Sequence, residues 1–217
     1  MSFIEEWTHE GTKLGQKVQI DENTFACFGN KQVTEDLLAR LFPDLKFLWM
    51  KQVHGNCIVS AQEGRPEADG HFTNKPNTAI GVITADCMPV LYASGETLVA
   101  LHAGWRGVAQ RILSSAHQQF PADQVFVGPH ILPEHFEVGK EILDELIQPA
   151  SLKSLVVKVH PDPNKAFVDL AGLLKQQAPE ALFKISHHCT LTDPRYNSYR
   201  RENKTNDRNL SFLFKLS

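Results

Sequence analysis

Three side chains able to do metal or nucleophile chemistry stand at the ends of apolar runs in this chain: His54, Cys87 and His102. A thiolate and two neutral imidazoles suit zinc, and a copper ion also tolerates them. The intervals between them are far longer than those of a zinc finger, so the three do not describe a small structural knot. Three protein donors without an evident fourth describe a catalytic metal, whose open position takes water or substrate. The same atoms also make a cysteine nucleophile with a histidine base, and spacing alone does not separate the two. Each residue has an ordinary reading when taken singly. Cys87 is then a small buried hydrophobe, His102 a satisfied core histidine and His54 a surface one. The neighbours Asp86, Pro89, Gly104, Arg106 and Gly107 are poor packing choices, and they favour a functional site.

The elements that must position these groups follow from the apolar periodicity. Residues 80–84, 88–93 and 97–101 read as strands, the last two joined by Ser94-Gly95-Glu96. That reversal lets the end of one strand, at His102, approach the start of the other, at Cys87. His54 follows a strand at 45–50 and precedes Gly55, in a loop of the kind that presents functional groups. Residues 63–77, polar and rich in Gly and Pro, read as a loop that carries Asp69 and a rival ligand, His71. Residues 108–120 have the clearest helical spacing. The start of that helix, beside Arg106, offers free N–H groups and a positive dipole end to an anion such as phosphate. In the competing reading Arg106 only pairs with Asp86. Further helices are expected at 34–41, 138–147 and 168–177, and further strands at 17–20, 24–28, 124–127, 155–159, 181–186 and 210–216. Several short strand-to-strand links among them predict an α+β fold, a mixed sheet covered by helices, and not a purely doubly wound one.

Composition bounds the partners. At 217 residues and 42% hydrophobic content the chain supports one core, so residues 1–217 are expected to form a single domain. Acidic and basic residues are well mixed at a net charge of -3, which leaves no basic stripe for nucleic acid and no polybasic tail for membranes. No long apolar span or signal-peptide pattern is visible, so a cytoplasmic protein is expected. Four scattered cysteines do not make a disulfide framework.

A series of motifs then adds to this reading. They are Lys51-Gln52-Val53-His54-Gly55, Ala68-Asp69-Gly70, Thr84-Ala85-Asp86-Cys87-Met88-Pro89, Leu101-His102-Ala103-Gly104-Trp105-Arg106-Gly107, Gly128-Pro129-His130-Ile131, Phe136-Glu137-Val138-Gly139, and Cys189-Thr190 with Ser198-Tyr199-Arg200-Arg201. In this order they resemble the polyphenol-oxidase (laccase-like) family, whose members are assigned as zinc-dependent purine nucleoside phosphorylases. The resemblance implies one zinc ion on His54, Cys87 and His102. It also implies phosphorolysis of adenosine, inosine, guanosine and methylthioadenosine, with adenosine deamination as a second activity. The implied fold is a sandwich like that of Cys-His toxin deamidases. One departure concerns phosphate: the family's N-terminal Ser/Thr-Thr-Arg-x-Gly-Gly segment corresponds here to Ala26-Cys27-Phe28-Gly29-Asn30, without the arginine. Near the C-terminus a Thr-Gly-Arg motif is replaced by Thr205-Asn206-Asp207-Arg208. The phosphate role then falls to Arg106, Arg201 or Arg208. The rival enzyme class is a thiol hydrolase or amidase acting through Cys87 and His102, an activity linked in some members to editing of peptidoglycan precursors. A multicopper oxidase needs several copper centres with paired histidines, and the 10 histidines here are scattered. A non-catalytic metal protein would close the site with a fourth ligand, His71 or Asp86.

Overall fold

A computed structural model describes residues 4–147, 156–203 and 206–217. Two six-stranded mixed sheets carry the fold. The first has the order β1 (Glu5–His9), β2 (Thr12–Gln19), β3 (Thr24–Gly29), β15 (Asn209–Lys215), β7 (Thr78–Thr84), β4 (Lys46–Leu48). The second runs β14 (Leu182–Ile185), β10 (Gln124–Val127), β8 (Met88–Ser94), β9 (Thr97–Ala103), β6 (Gly70–Thr73), β5 (Ile58–Ser60). A small third sheet is ordered β11 (Glu137–Gly139), β13 (Lys165–Val168), β12 (Val157–Val159). Pairing is antiparallel except for β4 with β7, β5 with β6 and β10 with β14.

The period-two alternation of strands explains the layers. On β8 and β9, Leu91, Leu98 and Ala100 face one core while Val90, Tyr92, Val99 and Leu101 face another. Both faces of that hairpin are covered, so its strands read as continuous apolar runs. The core between the two large sheets also holds Phe28, Ile80, Val82, Phe126 and Leu213. The outer face of the second sheet is roofed by α2 (Trp105–Ala109), α3 (Ile112–Gln119), α4 (Lys140–Leu146) and α5 (Leu170–Lys175). The outer face of the first is closed by α1 (Glu35–Leu41), with Trp7, Trp49, Phe212 and Phe214 packed beneath it. The expected α+β class and helix-covered mixed sheets are therefore observed.

Several boundaries differ from expectation. The helix expected over 108–120 is two helices, broken where Arg111 takes a left-handed φ of 60°. Buried Gln177 makes that break tolerable: its Nε2 donates to the Val108 carbonyl at 2.8 Å and its Oε1 accepts from the Leu113 N–H at 3.1 Å. A remote side chain thus satisfies groups that a continuous helix would pair within itself. The loop expected at 63–77 contains β6, an interior strand between β5 and β9. Its glycine and polar residues hid the strand because burial, not propensity, holds it. The hairpin β1–β2 was likewise not anticipated, since its outward residues are charged. Residues 138–139 belong to β11 before α4 begins, and β13 occupies part of what read as a turn and helix start. The strand expected at 155–159 is observed as Val157–Val159, and Leu155 lies outside the described residues. Helix α1 begins after Thr34, whose side chain accepts from the Leu37 N–H, as the capping pattern predicts.

Candidate metal centre and active-site cleft

The β8–β9 hairpin sets the first two donors side by side. Pro89 lies opposite His102 in the antiparallel register, so Cys87, just before β8, and His102, near the end of β9, meet at one edge. The third donor arrives from the loop after β4, where His54 adopts a left-handed φ of 62°. The imidazoles of His54 and His102 meet edge to face, with ring centroids 4.8 Å apart. One ligand atom from each of His54, Cys87 and His102 lies within 4.8 Å of the others. This donor set fits a borderline-soft metal ion. Among the described residues it is the one such group of three donors; neither His71 nor Asp86 joins it.

His71, the expected rival ligand, is buried within β6 and bonds the Gly81 carbonyl at 3.0 Å. It serves the sheet. Asp86 has a positive φ of 84°, and its carboxylate accepts from the Thr190 hydroxyl at 2.7 Å and from the Arg200 N–H at 2.8 Å. Left-handed backbone in non-glycine residues costs on the order of 1–3 kcal/mol and collects at functional sites. Here it occurs at His54 and next to Cys87. Gly104 lies so close that a Cβ on it would stand 3.0 Å from the Cys87 sulfur and 3.5 Å from the His54 ring. Gly107 lets the Gly55 carbonyl approach, 2.9 Å from where its Cβ would be. The His54 loop is thereby held against α2.

A carboxylate expected in a loop and in one of the family-like motifs, but with no role assigned to it, stands behind the donors. Asp69 is fully buried, and its Oδ1 bonds His102 Nδ1 at 2.7 Å. Its carboxylate also accepts the N–H groups of Val53, His54 and Gly55. The available signal was an acid flanked by small residues in Ala68-Asp69-Gly70. Electrostatics follow from these contacts. Burial opposes a charged Asp69, but the bonds from His102 and the loop amides outweigh it and hold its carboxyl below the usual range. Burial likewise opposes charge on Cys87 and His102, yet their mutual attraction lowers the thiol and, with Asp69, raises the imidazole. Such a site favours a thiolate, the form that binds metal or attacks carbon.

The three donors line a cleft of about 860 Å³. Its wall carries Met50, Ile83, Trp105, Phe136 and Tyr199, and its rim carries cations including Arg106, Arg200 and Arg208. The Arg106 guanidinium stacks on the Trp105 ring at 4.5 Å. The alternative reading, in which Arg106 pairs with Asp86, is not observed, since Asp86 is held by Thr190 and Arg200. The helix behind Arg106 has one turn, so the expected helix-terminal anion seat reduces to the side chain itself. Arg201 is a correction. Its guanidinium is spent on the carbonyls of Thr190, Leu191 and Tyr196, and it does not line the cleft, whereas its neighbour Arg200 does. Arg208 lines the cleft and lies 5.9 Å from the Tyr199 ring. The segment Ala26–Asn30 packs within and beside β3, away from the cleft lining.

Comparison with known proteins is consistent with this geometry. Residues 16–215 match a family described as multi-copper polyphenol oxidoreductase laccase. This chain belongs to that family. It is 33% identical over 208 residues to a protein of Shigella flexneri named purine nucleoside phosphorylase YfiH, covering 87% of this chain and 83% of that one. A Pseudomonas aeruginosa protein, also named a purine nucleoside phosphorylase, is 33% identical over 168 residues, covering 72% of this chain and 69% of the relative. The fold matches a crystal structure from Neisseria meningitidis with TM-score 0.80 at 23% identity, covering 91% and 96% of the two chains. It also matches YlmD from Geobacillus stearothermophilus with TM-score 0.80 at 19% identity, covering 98% and 100%. The family's description names several coppers, while the described residues of this chain gather one three-donor group.

Proposed function

We propose that this protein is a purine nucleoside phosphorylase with a single zinc ion on His54, Cys87 and His102, and that adenosine deamination is a side activity of the same site. The observation that carries the reading is the three-donor group in a cleft lined by aromatic side chains and by cations. The names of the relatives support the reaction class. When bound, zinc supplies Lewis acidity, which polarises a substrate oxygen or nitrogen. The apolar wall of Met50, Ile83, Phe136 and Tyr199 accepts a flat purine and excludes water from its faces. Arg106, kept extended by its stacking on Trp105, offers two N–H groups to phosphate, and Arg208 lies on the same rim. The phosphate oxygen forms a bond to the ribose C1′ as the C1′–N9 bond breaks, its electron pair leaving with the purine. Cationic groups that face the phosphate stabilise that charge redistribution. Adenosine, inosine, guanosine and methylthioadenosine share the bond that breaks, and all are proposed substrates.

Incubation of the purified protein with adenosine, with and without phosphate, tests this. Adenine with ribose 1-phosphate is expected only with phosphate, and inosine in either case; neither product in either case removes the reading. Arg106→Ala should raise the KM for phosphate about tenfold or more, with a smaller change in the KM for nucleoside.

One observation favours a second reading. The order Asp69, His102, Cys87 is that of a thiol-hydrolase triad, with the carboxylate 2.7 Å from the imidazole. An amide substrate such as a peptidoglycan precursor would then acylate Cys87. Activity that survives chelation, together with a trapped acyl-enzyme, would establish that reading instead.

A further inference from the structure

We propose that Asp69 is the positioning residue for both imidazole donors, setting the tautomer of His102 and the loop conformation of His54 together. The proposal rests on the assignment of His54, Cys87 and His102 as metal donors. Asp69 sits immediately before β6 and is fixed by its own backbone: its N–H donates to the Cys57 carbonyl at 3.0 Å and its carbonyl accepts the His102 N–H at 2.7 Å. That pairing brings its side chain into register with His102. Oδ1 accepts from His102 Nδ1 at 2.7 Å and from the His54 N–H at 2.9 Å. Oδ2 accepts from the Gly55 N–H at 2.7 Å and from the Val53 N–H at 3.2 Å.

Two consequences follow from this pattern of donors. An ionised carboxylate only accepts, so the proton of His102 resides on Nδ1 and the lone pair on Nε2 is left for the metal. A carboxylate behind a ligating histidine fixes ring orientation and raises basicity in this way. Three successive N–H groups converging on one anion form a nest, and the nest here holds His54 at its left-handed φ of 62°. Without the anion those amides would be desolvated and unpaired, and the loop would relax toward ordinary backbone, carrying the His54 ring away. Charge balance supports the same role, because Asp69 and the Cys87 thiolate together offset a dication.

Asp69→Asn is the informative substitution. Each oxygen of Asp69 faces two donors, so the amide NH2 must oppose two N–H groups whichever way it is turned. Zinc affinity, measured by chelator competition, should fall roughly 10–100-fold. Nitrogen-detected NMR of the zinc-free protein, at a pH where the ring is neutral, should show His102 protonated at Nδ1 in the wild type and mixed tautomers in the variant. A merely structural role would lower the melting temperature and leave that tautomer unchanged. Asp69→Glu, which keeps the charge but shifts it by one methylene, should fold and weaken zinc binding several-fold, and it decides the matter if the asparagine variant does not fold. Wild-type zinc affinity in either folded variant overturns the proposal. Wild type that binds no zinc would instead remove the metal assignment, whatever Asp69 does.

Discussion

Each donor residue has a role that a single substitution can isolate. Cys87→Ala, His54→Ala and His102→Ala should each lose zinc by elemental analysis while circular dichroism stays that of the wild type. The reason is that the donors hang from strand ends and a loop over cores that are apolar and continuous, unlike a zinc finger, whose fold depends on its ion. Full zinc occupancy in any one variant would remove that residue from the set. Gly104→Ala makes a finer test. Gly104 has an ordinary φ of -74°, so the backbone tolerates alanine, but the new Cβ would sit 3.0 Å from the Cys87 sulfur. The sulfur must shift by a few tenths of an ångström. Metal binding should weaken while the melting temperature moves little, and unchanged zinc affinity would show that Cys87 has room to give.

At the scale of elements, the break between α2 and α3 closes off a turn that lines the cleft. It ends α2 after one turn, and the first two residues of that turn, Trp105 and Arg106, line the cleft. Gln177 holds the break from a position far along the chain. Gln177→Leu keeps the approximate volume but strands the N–H of Leu113, whose bond to Oε1 is buried. An unsatisfied buried polar group costs about 1–3 kcal/mol, so urea denaturation should show a loss of that order. A negligible change would mean that water or a continuous helix replaces the glutamine. Arg200 ties elements in a similar way: its backbone N–H meets Asp86 while its guanidinium bonds the carbonyls of His135 and Glu137. Arg200→Ala should raise the KM for nucleoside severalfold with zinc content unchanged, because the wall that carries Phe136 loses its tether.

For the whole molecule, acid stability follows from a buried histidine outside the cleft. His71 is pulled down to about 4 by burial, which outweighs its bond to the Gly81 carbonyl. The unfolded chain, with a histidine near 6.5, binds more protons between those values, so stability is full above that window and falls as pH drops through it. The loss from this group amounts to roughly 3 kcal/mol by pH 4. His71→Gln should show a shallower fall in urea midpoint between pH 7 and pH 4.5 than the wild type; parallel slopes would mean that His71 is not the group titrating. At the same scale, among the described residues no helix is long and apolar enough to cross a membrane.

Local pattern carries far in this chain, and its limits have physical causes. The β8–β9 hairpin was legible because its turn residues and apolar runs are contiguous, so sequence alone placed Cys87 near His102. The capped start of α1 was legible for the same local reason. His54 was legible as a candidate, yet only the packing of its loop against α2 and Asp69 brings it to the other two donors. Asp69 itself and Gln177 were not legible as organisers, because a buried polar group is defined by partners far away in sequence, and those partners exist only after folding. Arg200 and Arg201 are adjacent and chemically alike, and sequence favoured the wrong one for the cleft. Both guanidinium groups bond backbone carbonyls, but those of His135 and Glu137 keep Arg200 in the cleft lining while those of Thr190, Leu191 and Tyr196 hold Arg201 out of it, and which carbonyls each meets is decided by the path of the chain through three dimensions.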